Sequence, residues 1–524
     1  MKPATRNPKP FLVLALSSLL LSACAVPTAT PTTEATATPL PLPSVSPSLT
    51  VPPGRIRPAT VAGSWYPDDP DELARMVDEM LAAVEPVDGK PTGLIVPHAG
   101  YVYSGPVAAY GFKQLADGQY DVAVIIASDH QSPLSDPISV WAEGGFETPL
   151  GIVPVDVELA QALVAADPRI TDDTAAHEGE HPIEIELPFL QRVCPACSIV
   201  PVLMGTDDEE TVRALADALL TVLPGRRAVV IASSDLSHYP TYDDALVVDG
   251  ATLAAIETGD PVQVRQTIEP LMTADFPNLV TCACGEGAIL VTMRVVQGLG
   301  ADTVTVLRYA NSGDVSGDHS KVVGYGAVML WRYEPPDLTE ARREELLALA
   351  RTTIEEYIET GHVPNYETDD PVLARRSGVF VTLKEGGDPS TGLRASLRGC
   401  IGHTRADQPL YQVVQQMAVA AATEDPRFPP LTQEELADVT VEISVLSPFR
   451  RVTDVEEVQV GTHGLMIFQD GRQGLLLPQV PVEQDWGRAE FLENLCLKAG
   501  LPPDCWAGRP TLYGFTAVVF GEGE

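Results

Sequence analysis

Three histidines and one cysteine are the side chains in this sequence best placed to bind a metal ion. His98, His130 and His238 each follow a short aliphatic run, and Cys284 lies in a turn that leads into a helical stretch. Imidazole nitrogens and thiolates suit iron, copper or zinc, whereas harder cations prefer carboxylate oxygens. The residue types therefore predict a site for a transition metal, provided that the fold brings the four side chains together.

The elements that must position them follow an α/β pattern. Between residue 55 and residue 333, aliphatic runs alternate with amphipathic stretches such as 209–223. Ligands bind at the carboxyl ends of strands in open α/β sheets, so we expect the histidines to face one crevice. The alternative for any single histidine is a hydrogen-bonded side chain packed near a loop. The predicted parallel strands are 93–97, 121–127, 199–204 and 227–232.

Motifs in the same order cover the whole of region 55–333 and resemble the Memo family. They are AGSWYP (62–67), PHAGYVYSG (97–105), EHPIE (180–184), LPFL (187–190), SSDLSH (233–238), ACG (283–285) and YANSGD (309–314). The resemblance implies an α/β fold like that of the class III extradiol dioxygenases, in which two histidines and a carboxylate hold iron. In Memo proteins a cysteine replaces the carboxylate.

The resemblance also assigns roles to individual residues. It implies one redox metal ion, Fe(II) or Cu, bound by His98, His130 and Cys284. It makes His238 the acid or base of the reaction and places Asp235 and His181 in the same pocket. An imidazole that binds no metal can carry a proton near neutral pH, and Asp235, three residues before His238, can orient it. The alternative for Asp235 is the N-cap of a helix.

One segment departs from the family pattern. The sequence before His130 reads ASD (127–129), where members of the family more often have Gly-Pro followed by Asn or Ser. The hydrogen bonds that orient His130 are therefore expected to differ from those of its relatives.

Region 338–522 is a second predicted domain, of the α+β class, and it resembles the AMMECR family. That family has no settled activity. Arg398 and Cys400 form a possible site in it, because a neighbouring cation lowers the pKa of a thiol and favours the nucleophilic thiolate. The alternative is a small buried cysteine in a tight turn. The motifs are GVFVTL (378–383), LRGCIG (397–402), DPRFPPL (425–431), ISVL (443–446), GLLLPQ (474–479) and KAGL (498–501).

The N-terminus predicts an exported, lipid-anchored protein. Residues 1–24 have three basic residues, a short apolar run and the ending LSAC, which resembles a bacterial lipoprotein signal with Cys24 as the lipidated residue. Residues 25–54 contain 8 Pro, 10 Ser or Thr and the single charge of Glu34, so we expect an extended tether. Membrane lipid is thus a predicted partner, and the predicted location is the outer side of the cell membrane.

Composition limits the other partners. The chain has 34 Lys and Arg against 72 Asp and Glu, a net charge of −38, so it lacks the basic surface that nucleic acids require. Of the cysteines, Cys194 and Cys197 fit a disulfide, a redox pair or half of a zinc site.

Together the two resemblances correspond to proteins B and A of the AmmeMemoRadiSam system, which implies a functional link to a radical SAM protein. The favoured function is an oxygenase that acts on an unknown small-molecule substrate. The alternative is a non-catalytic protein that binds iron or copper or serves as an interaction partner.

Overall fold

The computed structural model describes residues 50–523, apart from 117–118, 132–135, 387–395, 470 and 509. The predicted signal at 1–24, with Cys24, and nearly all of the predicted tether at 25–54 lie outside the described residues. Within the described part of the chain, no helix is both long and apolar enough to cross a membrane.

The first part of the chain is built on a mixed eight-stranded sheet. Its four central strands are parallel, and two antiparallel strands extend one edge. The strands of this part are β1 (Ile56–Arg57), β2 (Pro91–Val96), β3 (Val122–Ser128), β4 (Ile138–Val140), β5 (Gly145–Thr148), β6 (Gly151–Pro154), β7 (Ile170–Asp172), β8 (Ser198–Met204), β9 (Ala228–Ser233), β10 (Thr303–Asn311) and β11 (Gly324–Trp331). The large sheet has the order β10-β11-β2-β9-β3-β8-β4-β7, while β1, β5 and β6 form a small separate sheet.

Helices pack against the large sheet and bury its aliphatic strands. The central strands β3 and β9 are almost wholly buried, as expected for continuous runs of Val, Ile and Ala that are covered on both faces. The helices are α1 (Pro70–Ala82), α2 (Tyr101–Lys113), α3 (Val157–Ala166), α4 (Pro182–Val193), α5 (Glu209–Val222), α6 (Tyr242–Glu257), α7 (Pro261–Thr273), α8 (Glu286–Gly298) and α9 (Ser312–Ser316). The mixed α/β architecture predicted for this region is confirmed.

The second part has two four-stranded sheets and fewer helices. One sheet has the order β13-β12-β14-β19 and covers α10 and α11 with its apolar face; the other has the order β15-β18-β16-β17 and packs on α13. The elements are α10 (Glu340–Thr360), β12 (Val379–Glu385), β13 (Ser396–His403), α11 (Leu410–Thr423), β14 (Val439–Leu446), β15 (Arg450–Arg451), β16 (Gly464–Gln469), β17 (Arg472–Leu476), α12 (Gln479–Glu483), α13 (Arg488–Lys498), β18 (Thr511–Phe515) and β19 (Ala517–Gly521).

Two disulfides join cysteines that are close in sequence. Cys194 is paired with Cys197, which is the first of the alternatives that the sequence left open, and Cys496 is paired with Cys505. Among the described residues, Cys282, Cys284 and Cys400 are free thiols.

A buried ion pair fixes the start of the first domain. The Arg57 guanidinium lies 2.7 Å from Glu184 of α4, and both side chains are almost completely inaccessible to solvent. The Glu184 carboxylate also accepts hydrogen bonds from the backbone of Thr60 and Val61 and from the Tyr66 hydroxyl. Burial alone would raise the pKa of Glu184, but these hydrogen bonds hold it below its usual value. The pair therefore stays ionised inside the protein.

Candidate metal centre

His98 lies in the loop after β2, at the carboxyl edge of the large sheet, and is buried. Its backbone N–H donates to the Asp235 carboxylate at 2.8 Å, and its Nδ1 lies 2.9 Å from the Ser233 hydroxyl oxygen. The Ser233 hydroxyl is itself within donating distance of the Pro182 carbonyl, so its oxygen is free to accept the Nδ1 proton. This arrangement leaves Nε2 of His98 with its lone pair available to a metal ion.

His130 follows β3 and is oriented in the same way. Its Nδ1 lies 2.8 Å from the Ser128 carbonyl oxygen. A carbonyl can only accept, so Nδ1 carries the proton and Nε2 carries the lone pair. The loop itself is held by Glu180, whose carboxylate accepts the backbone N–H groups of His130 and Gln131.

A third imidazole, that of His181, completes a cluster. His181 precedes the first turn of α4, and its ring centre lies 4.4 Å from that of Trp65. One nitrogen from each of His98, His130 and His181 lies within 4.8 Å of the others, so the three imidazoles could share one ion. The sequence placed His181 in the pocket without making it a ligand, so the structure brings it closer to the other two than expected.

Cys284 contacts one member of this cluster, His98, but does not belong to the group of donors that all lie within 4.8 Å of one another. Its Sγ lies 3.3 Å from Nε2 of His98. Metal–nitrogen bonds are about 2.1 Å long and metal–sulfur bonds about 2.3 Å, so a nitrogen and a sulfur atom this far apart can bind the same ion. The turn is tight: a Cβ on Gly285 would lie 2.8 Å from the Ser233 carbonyl oxygen, so glycine is required for Cys284 to come this near to the end of β9.

The protonation states of these groups suit a cation. Burial lowers the pKa of His98 to about 4 and that of His181 to about 3, so both imidazoles are neutral at neutral pH and can act as ligands. Burial and the nearby Asp235 carboxylate raise the pKa of the Cys284 thiol. Without a cation Cys284 is therefore a thiol, and a bound metal ion would remove its proton. The residues present fit a site for a single soft or borderline transition metal.

His238 and Asp235 line the same pocket. Nε2 of His238 lies 3.9 Å from the Asp235 carboxylate. This nitrogen atom is inaccessible to solvent and has no hydrogen-bond partner among the described residues. Burial would raise the pKa of Asp235, but the imidazoles of His98 and His238 hold it below its usual value. Asp235 caps no helix, because the N-cap of the following helix α6 is Thr241. It serves instead as an acceptor that fixes His98 and faces His238.

A second buried carboxylate, Asp249 of α6, supports the loop that carries His238. One of its oxygens accepts the backbone N–H of Ser237 and the other accepts the Tyr309 hydroxyl, both at 2.8 Å. Burial raises the pKa of Asp249 to about 6. Ionised Asp249 is thus favoured less in the folded protein than in the unfolded chain.

Replacing Asp249 with asparagine is expected to change how stability depends on pH. A carboxyl whose folded-state pKa is raised binds more protons when folded, so its contribution to stability falls as pH rises from about 4 to about 6, by about 3 kcal/mol in total. Asp249→Asn removes this loss. In urea unfolding at pH 4.5 and pH 7, the free energy of unfolding of the variant should increase relative to that of the wild type at the higher pH. Asp243→Asn removes an exposed carboxylate from the same helix, and its free energy of unfolding should change with pH as that of the wild type does. If the stability of both variants changed with pH as that of the wild type does, the raised pKa of Asp249 would be contradicted.

The possible site in the second domain is arranged differently from the sequence prediction. Arg398 is buried and its guanidinium binds the Glu435 carboxylate and the Pro429 carbonyl. The cations that act on Cys400 are Arg427 and Lys498, and burial nevertheless raises the pKa of the thiol. The prediction that Arg398 activates Cys400 is therefore not met.

Three residues that support the cluster had no role in the sequence prediction. Glu180 holds the His130 loop, Ser233 fixes the tautomer of His98, and Trp65 packs on His181. Glu180 and Ser233 had a signal, since each is the first residue of a motif that contains a pocket residue, EHPIE (180–184) and SSDLSH (233–238). Their contacts are long-range, so the sequence alone does not show which group each one binds.

Comparison with known proteins divides the chain into the same two regions. The family model described as "Memo-like protein" matches residues 57–329, and the model described as "AMMECR1" matches residues 347–520. A MEMO1 family protein of Methanopyrus kandleri, MK0963, is 37% identical over 288 residues, which cover 53% of this chain and 99% of the relative. A MEMO1 family protein of Thermotoga neapolitana is 38% identical over 288 residues, covering 52% of this chain and 99% of the relative.

A solved structure is also similar to part of the chain. It is that of the uncharacterized protein PH0010 from Pyrococcus horikoshii, which is 43% identical and covers 34% of this chain and 91% of its own, with a TM-score of 0.33.

Proposed function

We propose, on the premise that this chain belongs to the Memo family and carries an AMMECR1 domain after it, that its first domain is a mononuclear metalloenzyme resembling the extradiol dioxygenases. The ion would be Fe(II) or Cu, and the ligands would be His98, His130 and Cys284. The observation that carries this proposal is the convergence of the imidazoles of His98, His130 and His181 within 4.8 Å, with the Cys284 thiol beside His98, at the carboxyl edge of the sheet.

The remaining pocket residues support catalysis rather than storage of the metal. A redox metal ion bound here would supply the electron transfer with dioxygen that the side chains lack. His238 would take the proton of a phenolic hydroxyl at its unpartnered Nε2, and the Asp235 carboxylate would stabilise the imidazolium that results. Trp65, partly exposed beside His181, offers a ring surface against which an aromatic substrate can lie.

Metal analysis of protein purified without oxygen tests the ligand set. We expect about one ion per chain in the wild type and a loss of at least about tenfold in His98→Ala and Cys284→Ala, because each removes a ligand. His181→Gln should keep its metal. His362→Ala, which removes an exposed histidine of the second domain, is the matched control.

The outcomes separate the possible ligand sets. Loss of metal in His181→Gln but not in Cys284→Ala would replace the thiol with the third imidazole. Equal metal content in the wild type and His98→Ala would remove the proposed centre altogether.

The site is further proposed to lie outside the cell, on a chain anchored through a lipid on Cys24 and spaced from the membrane by residues 25–54. The two disulfides support this location, because disulfides persist in oxidising compartments. Radiolabelled palmitate should enter the wild type and not Cys24→Ser, and labelling of both would contradict the anchor. In this setting the link to a radical SAM protein, whose chemistry is cytosolic, stays a prediction.

A further inference from the structure

The second domain contains a cavity of about 1840 Å³ between its two sheets. Strands β12, β13 and β14 form one wall, and β16, β17 and β18 form the other. Glu257, Thr305 and Val306 of the first domain line part of the same space. A cavity of this size exceeds the roughly 300–1,000 Å³ of a typical small-molecule pocket.

The wall formed by β12 is polar because the strand alternates. Val379, Val381 and Leu383 are buried in the core against the helices, whereas Phe380, Thr382 and Lys384 line the cavity. The polar groups on this wall are held in place. Lys384 donates to Glu442 at 2.7 Å and to Glu483 at 3.1 Å, and Gln479 donates to Glu442 at 3.1 Å. A sheet face of this kind is a rigid surface for recognising a ligand.

Cys400 lies on the same wall within a fixed set of contacts. The Thr382 hydroxyl donates to its Sγ at 3.4 Å, and its backbone N–H donates to Asp425 at 2.8 Å. Arg427 binds Asp425 through two nitrogens and also donates to the Cys400 carbonyl. Burial raises the pKa of the thiol, while Arg427 and Lys498 act to lower it and Asp425 acts to raise it. The thiol thus lies within reach of the charged side chains at this end of the cavity.

The charge of the lining is opposite in sense to that of the chain. The whole protein has 72 acidic and 34 basic residues, yet the lining has four basic side chains and three acidic ones. Lys384 and Arg427 are neutralised by carboxylates. The exposed side chains of Arg405 and Lys498 form no ion pair with any carboxylate of the described residues. In so acidic a protein, two uncompensated cations beside a cavity favour an anion.

We propose that the part of this cavity beside Cys400 binds a small organic anion, with its carboxylate or phosphate near Arg405 and Lys498 and its apolar part against Phe380 and Leu475. The cavity would then be a second binding site, separate from the metal centre, and the inference does not depend on the function proposed for that centre. The aromatic and aliphatic lining supplies most of the contact area, while the cations select for charge.

Alkylation of Cys400 by two reagents of nearly equal size tests the charge preference. Iodoacetate is an anion and iodoacetamide is neutral, and the rates at Cys400 can be followed by mass spectrometry of the peptide that contains it. Relative to N-acetylcysteine amide in solution, we expect the ratio of the iodoacetate rate to the iodoacetamide rate to be about fivefold higher at Cys400 in low salt. This increase in the rate ratio should disappear in the double variant Arg405→Gln/Lys498→Gln. It should remain in Lys321→Gln, which removes an exposed lysine of the first domain and serves as the control.

Protection by aromatic anions identifies the group that is bound. Phenyl phosphate, phenylacetate or both should slow labelling by iodoacetamide, and neutral phenylacetamide should not; the more effective anion shows whether phosphate or carboxylate is preferred. A rate ratio equal to that of the free thiol, an excess that survives the double substitution, or a thiol that neither reagent labels would each overturn the proposal. Because the side chains of Arg405 and Lys498 are exposed, we expect their replacement by glutamine to leave the stability of the domain unchanged.

Discussion

Arg57→Met is expected to lower the free energy of unfolding of the first domain by about 3–5 kcal/mol. The substitution keeps most of the side-chain volume but removes the positive charge that faces Glu184 at 2.7 Å in a region closed to solvent. Glu184 would then be a buried carboxylate without a counter-ion, which costs more than the loss of a surface interaction. Urea unfolding followed by circular dichroism measures the effect.

An exposed arginine two residues earlier provides the control. Arg55 forms an ion pair with Glu143 at 2.8 Å, but more than half of its side chain is accessible. Arg55→Met should therefore lower the free energy of unfolding far less than Arg57→Met. Replacing both Arg57 and Glu184 with methionine should restore part of the stability, since no unpaired charge remains. Equal effects of Arg55→Met and Arg57→Met would show that the buried pair does not stabilise this domain.

His238→Gln is expected to reduce oxygen consumption with catechol substrates by about 10²–10⁴-fold while leaving the metal content unchanged. This is the range that general acid–base catalysis contributes. Glutamine keeps a polar side chain of similar length but cannot take up a proton. The measurement pairs an oxygen electrode with metal analysis of the same preparation, so that loss of the ion is not mistaken for loss of the base.

A second histidine of the same domain serves as the matched control. His319 is exposed and stacks on Tyr242, so His319→Gln should keep both the metal and the activity. A wild-type protein that binds its metal but consumes no oxygen with any catechol, or an active His238→Gln variant, would contradict the catalytic role. The first of these results would favour the alternative of a non-catalytic iron- or copper-binding protein.

The aliphatic strands were predictable from the sequence to within two residues. The runs at 93–97 and 227–232 became Pro91–Val96 and Ala228–Ser233. Buried parallel strands are continuous runs of aliphatic residues, a signal that depends on neighbours in sequence alone. The short strands β4 to β7 were not predicted, because three or four residues carry too little pattern to distinguish a strand from a loop.

The positions of site residues that follow strand ends were predictable from the sequence. Contacts between residues that are far apart in the sequence were not. His98 and His130 lie in the loops after β2 and β3, as expected. Arg398, by contrast, is two residues from Cys400 in sequence but binds Glu435, whereas the cations near the thiol come from residues 427 and 498. Residues two apart in a regular strand share a face, but the register of β13 shifts at Arg398, because Leu383 pairs with Gly399 and Lys384 with Leu397. This bulge separates the side chain of Arg398 from that of Cys400.

The short strand β1 would have a mechanical role if the chain is anchored at its N-terminus as proposed. Tension on the preceding residues enters the first domain at Ile56–Arg57, and the Arg57 guanidinium passes it to Glu184 and to the carbonyl groups of His177 and Glu180. Glu180 in turn holds the loop of His130. The N-terminal strand and the loop that carries His130 are thus linked through Arg57 and Glu180, so a pull on an anchored N-terminus would also load the histidine cluster.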